Sequence, residues 1–188
     1  MARGVTIIEI LVVLAIFAIV SGVVFFNFKG LNDVVYLERL THDIASQIEE
    51  AKRAAISGEN PFLFTGKPSY GVHFDRSVSP NTITYFADQD NDSFFDDPGE
   101  LLGTSLSPQT GYGINKICVN NTISLCLSGD RNNLTVVFTR PFPDAVLSAE
   151  DSLGAIDKTI SNAQIEVISP DNLRRTITVR VTGQVSVR

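Results

Sequence analysis

The chain has 188 residues, a formal net charge of −6 and two cysteines, which makes room for one domain and an anchor. The acidic balance argues against broad affinity for nucleic acid, and two histidines with no Cys-x-x-Cys pair argue against a zinc site of nitrogen and sulfur ligands. No tryptophan and many Thr, Ser, Asn, Val and Ile suit an exported, β-rich domain.

The first element is an apolar run from Val5 to Phe26, roughly 22 residues and so long enough to span a bilayer. Its single charged residue is Glu9. A carboxylate inside a spanning helix costs a few kcal/mol and calls for a partner. A secretory signal would have a shorter apolar run and a small-x-small cleavage site. An uncleaved signal anchor explains the length and Arg3 but not Glu9. The segment Gly4-Val5-Thr6-Ile7-Ile8-Glu9-Ile10 resembles the class III signal of type IV pilins and type II secretion pseudopilins. It departs from that signal in Val5 where Phe is usual, in a very short leader, and in having no Pro near Phe26. The resemblance implies cleavage between Gly4 and Val5 by a prepilin peptidase and methylation of the new Val5 amine. It also implies pairing of Glu9 with the amine of a neighbouring subunit, and a buried carboxylate and ammonium do become tolerable together.

The run continues into an amphipathic helix, because Leu37, Leu40, Ile44, Ile48, Ala51 and Ala55 recur at three- and four-residue spacing. Arg39/Asp43 and Glu49/Arg53 stand as i,i+4 pairs on the other face. Gly58 and Asn60-Pro61 mark the end. A helix from Val5 to Ser57 would be roughly 80 Å long, with its weak point at Phe28 to Asp33, where Gly30 lowers propensity and Asn32 or Asp33 can cap a fresh start. The segments are therefore 1–4 leader, 5–28 membrane and filament-core helix, 29–58 amphipathic helix and 59–188 head.

Beyond Pro61 short alternating runs are separated by Gly, Pro, Asn and Asp. Tyr70 to Phe74, Ile83 to Tyr85, Ile114 to Val119, Thr122 to Leu127, Leu134 to Phe138 and Gln164 to Ser169 read as strands. Pro141 to Gly154 reads as a surface loop with one helical turn at most. Leu173 to Arg188 reads as a closing strand, with Ile177, Val179 and Val181 facing inward. The fold class is α+β: one long N-terminal helix packed on an antiparallel β head, the pilin fold.

Asp88, Asp90 and Asp92 alternate in an acidic stretch, and in a turn their carboxylates can converge on a hard cation. Phe94 carbonyl, Asp96, Asp97 and Glu100 would complete an oxygen shell, with calcium the natural ion outside the cell. The other reading is an acidic solvated hairpin loop built on Asx turns. Cys118 and Cys126 flank Asn120-Asn121 as if across a hairpin. In an oxidising compartment such a pair forms a disulfide, worth about 2–3 kcal/mol by loop closure; the alternative is two buried thiols. No nucleophile elbow or phosphate loop appears, and His42 and His73 fall on a charged helix face and in a strand. Nothing supports an enzyme.

The stretch from Phe86 to Leu102 resembles the acidic segment of H/FimT-type minor pseudopilins, and Gly183 to Val187 resembles the last strand of that family. Some FimT-like pilins bind DNA through a Gly-Arg-x-Arg motif, but Gly183-Gln184-Val185-Ser186 lacks both arginines. Arg180 and Arg188 remain as candidates to hold phosphates, against the commoner meaning of a solvated strand face. The combined expectation is a membrane-inserted minor pilin or pseudopilin with an extracytoplasmic head. Its partners would be prepilin peptidase, other pilins and the membrane. The alternatives are a DNA-uptake pilin and a signal-anchored surface domain.

Overall fold

The computed structural model describes residues 4–58, 68–78, 80–95, 98–120, 131–151 and 156–188, with only the backbone described at 25–31 and 151. Helix α1 (Ile7–Ser57) is a single element of 51 residues. It runs unbroken through Phe28 to Asp33, the weak point of the sequence. The cost of one glycine, about 1 kcal/mol, is too small to interrupt a helix that is already nucleated on both sides. Gly58 closes it in the left-handed region at φ 73°, its N–H bonded to the Ala54 carbonyl at 3.0 Å. Asn60 and Pro61 lie outside the described residues.

Among the described residues nine strands follow: β1 (Ser69–Asp75), β2 (Thr82–Asp88), β3 (Gly113–Val119), β4 (Arg131–Phe138), β5 (Ala145–Asp151), β6 (Ile156–Asp157), β7 (Asn162–Ile168), β8 (Arg174–Arg180) and β9 (Val185–Val187). They form two antiparallel sheets, one ordered β2-β1-β4-β5-β6 and one β3-β7-β8-β9. This is the α+β architecture expected for a pilin.

The two halves of α1 have opposite surroundings. From Ile7 to Val24 the mean hydropathy is 2.9 and none of the segment is buried, so it is long and apolar enough to cross a membrane. From Leu37 on, the three- and four-residue stripe is buried against β1, β4 and β8. Tyr70, Val72 and Phe74 of β1 meet it from one sheet, and Ile177 and Val179 of β8 from the other. Of the two i,i+4 pairs, the exposed Arg39–Asp43 closes at 3.7 Å, a contact worth little at the surface.

Two sequence expectations in the head change. Residues 145–151, expected as loop, form β5, with Ala145, Leu147, Ser148 and Ala149 buried beside β4. Ala, Ser and Glu are poor strand formers, but strand preference follows the neighbours more than the residue. The closing segment is two strands joined by a turn at Gly183, φ 71°. Val181, expected inward, sits 36% exposed at that turn. The expected strand Thr122 to Leu127 lies outside the described residues.

The five-stranded sheet is covered on both faces. Opposite the helix, β1, β2 and β4 present Gly71, His73, Phe86, Thr135 and Val137, following the strand alternation. The acidic stretch after β2 folds over this side. Phe94 stands edge-on to His73 at 5.5 Å between ring centroids, and Phe95 packs on Phe86 at 5.2 Å. The loop is a small second core as well as a charged surface.

Candidate functional site: the N-terminal signal and the acidic loop

Helix α1 starts with a capping box. Thr6 is the N-cap at φ −83° and ψ 151°, and its hydroxyl oxygen accepts from the Glu9 N–H at 3.4 Å. The Glu9 carboxylate accepts from the Thr6 N–H at 3.5 Å. Thr6-Ile7-Ile8-Glu9 therefore carries the Thr-x-x-Glu helix-start signature as well as resembling a processing signal. Gly4 and Val5 precede the helix and are exposed. A methyl group added at Gly4 would meet nothing within 4 Å. Nothing in this chain's own packing therefore requires glycine at position 4. Gly4→Ala is expected to fold unchanged and to lose most cleavage, read by intact mass after exposure to prepilin peptidase.

The acidic loop is held by its own backbone. Asp88 is fully buried and accepts from the Asn91 N–H at 2.7 Å and the Ser93 N–H at 3.1 Å. Both donors lie in left-handed turns, at φ 61° and 66°. Asp90 accepts from Asp92 N–H at 3.1 Å, and Asp92 from Phe94 N–H at 2.6 Å. Buried Glu100 accepts from Gln89 N–H at 2.9 Å. Of the expected oxygen shell, Asp88, Asp90 and Glu100 come within 4.8 Å of one another. Asp92 is turned to the backbone, and Phe94 contributes its ring to the second core. Asp96 and Asp97 lie outside the described residues. Burial pushes the Asp88 carboxyl up to about 6, with its partial offset coming from the Ser93 and Asn91 N–H groups. Asp88→Ala leaves two backbone donors without their acceptor, a loss of about 2–3 kcal/mol in urea unfolding; Asp88→Asn should lose about half of that.

His73 is buried, and its Nδ1 lies 2.8 Å from the Thr135 hydroxyl. Desolvation lowers its pKa to about 4, with Asp75 opposing weakly. A histidine held neutral by the fold stabilises it fully above the ordinary value of 6.5, and that contribution is lost as the pH falls from 6.5 through 4. The loss amounts to about 3 kcal/mol. Asp88 works with the opposite sign, since its raised value favours the fold below pH 4 and the benefit fades as the pH rises through 6. His73→Asn should therefore flatten the acid limb of a stability–pH curve while leaving the Asp88 limb in place.

Cys118 is disulfide-bonded, and the chain's other cysteine, Cys126, lies outside the described residues. Arg180 and Arg188 line one polar concavity of about 520 Å³ with Asn162, Gln164, Thr178 and Ser186. Arg180 also donates to Gln184 at 3.1 Å. A contact without a sequence signal ties the stem to the head: the Tyr112 hydroxyl donates to Asp33 at 2.5 Å, and the Gln109 N–H donates to the Tyr36 hydroxyl at 2.9 Å. The bond to Asp33 holds the Tyr112 phenol up to about 12.

Residues 1–25 match the family model of the prokaryotic N-terminal methylation motif. No match was found among curated proteins or among solved structures. That motif, which resembles the signal of type IV pilin-like proteins, stands at the start of a long, half-exposed helix that ends in an antiparallel β head.

Proposed function

We propose that this chain is a minor pilin or pseudopilin of the H/FimT type, built into a type IV pilus or a type II secretion filament. Prepilin peptidase cuts between Gly4 and Val5, and the Val5 amine is methylated. The anchor half of α1 then leaves the membrane for the filament core, where Glu9 pairs with the Val5 amine of a neighbour. The head stays outside the cytoplasmic membrane and supplies surface contacts. The observation that carries this reading is the methylation-motif match on a helix whose Ile7–Val24 segment is wholly unburied within its own chain. That much apolar surface needs either lipid or other helices around it. In a host with a working filament machine, the head epitope should appear in the sheared filament fraction; its confinement to membranes would contradict the reading.

The acidic loop takes calcium in this proposal, supported by the three carboxylates within 4.8 Å. Millimolar calcium should raise Tm by mass action, and Asp90→Asn should remove the rise. The role is structural and involves no catalysis.

A further inference from the structure

We infer that Thr6 is a positioning residue for the maturation cut, because its cap fixes where α1 begins and so keeps the Gly4–Val5 bond outside the helix. This rests on the proposed processing at that bond. The first helical bonds run from the Glu9 N–H at 3.1 Å and the Ile10 N–H at 3.3 Å, both to the Thr6 carbonyl. Gly4 and Val5 thus lie on the outer side of the first turn, with Thr6 itself extended.

The placement matters for hydrolysis. Water adds its oxygen to the Gly4 carbonyl carbon, the C–N bond breaks, and the nitrogen leaves with the protons as the Val5 amine. An enzyme must reach that carbonyl from outside and bind the flanking N–H and C=O groups, which an extended segment leaves available and a helical turn uses itself or shields. Without the cap, the open N–H groups of the first turn would face the apolar end of the span, where unpaired backbone groups are costly. The helix then gains by starting earlier, toward the aqueous side, and that draws Val5 and Gly4 into its first turn. Gly4 resists this through its low helix propensity, so cap and glycine act together to hold the boundary.

The test uses the full-length precursor in lipid vesicles with prepilin peptidase, following the cut fraction over time by intact mass. Thr6→Val keeps the shape and removes the acceptor; Thr6→Ser and Thr6→Asn restore a cap in two different shapes. Val should slow the cut about fivefold, the ratio matching a typical cap, while Ser and Asn stay near the parent rate. Backbone chemical shifts of Val5 and Thr6 should turn helical in the Val variant alone. Cutting of the Val variant at the parent rate would overturn the inference. So would slowing of Asn as severe as that of Val, since Thr6 would then be read by the enzyme directly. A parent chain that stays uncut would instead overturn the processing reading beneath it.

Discussion

Glu9→Gln is expected to give a folded, processed subunit that fails to enter filaments. Glutamine serves in a capping box as glutamate does, so the start of α1 should hold. Glu9 lies in an exposed stretch of the helix, and the change therefore disturbs no packing within the chain. What changes is the charge. In the filament core the neighbour's Val5 ammonium would lose its counterion, and breaking a buried pair from one side costs about 3–5 kcal/mol. The sheared fraction should fall by roughly a hundredfold or more at equal expression, by the same energy. Incorporation at the parent level would separate Glu9 from assembly.

Phe74→Ala is expected to have the largest effect on the head. Phe74 is fully buried near the C-terminal end of β1, opposite Ile83 of β2 and Leu134 of β4, on the face that meets α1. Truncating a buried phenylalanine costs about 3–5 kcal/mol through lost transfer energy and the cavity left behind. In a chain of this size that lowers Tm by roughly 6–20 °C. Thermal unfolding of the full chain in detergent checks it. The position also joins the two functional halves, because the face that holds Phe74 is the one that fixes the upper part of α1 to the head.

The N-terminal signal and the buried stripe of α1 were legible because each rests on one clear contrast. Glu9 is a lone charge in an apolar run, and Leu37 to Ala55 follows the helical period without interruption. Strand β5 was not legible: Pro141 and Pro143 precede it, and Ala145, Ser148 and Glu150 carry little strand preference of their own. Its order comes from pairing with β4 along nearly its whole length. The break between β8 and β9 was signalled by Gly183 but masked by Val181, which continues the alternation. In the acidic loop, alternate aspartates suit both a cation and Asx turns, and the structure gives the backbone amides as acceptors' partners for four of the carboxylates. Phe94 and Phe95 were the neglected signal there, since two adjacent aromatics in a charged stretch need a surface to cover.

The account stands most directly on the identity of the mature N-terminus. Intact mass and N-terminal sequencing of the chain, expressed with and without prepilin peptidase, test it. The expected result is a form beginning at Val5 and carrying one added methyl group, seen only when the peptidase is present and absent in Gly4→Ala. A chain that keeps residues 1–4 with active peptidase would contradict the account and leave a membrane-anchored β domain in its place.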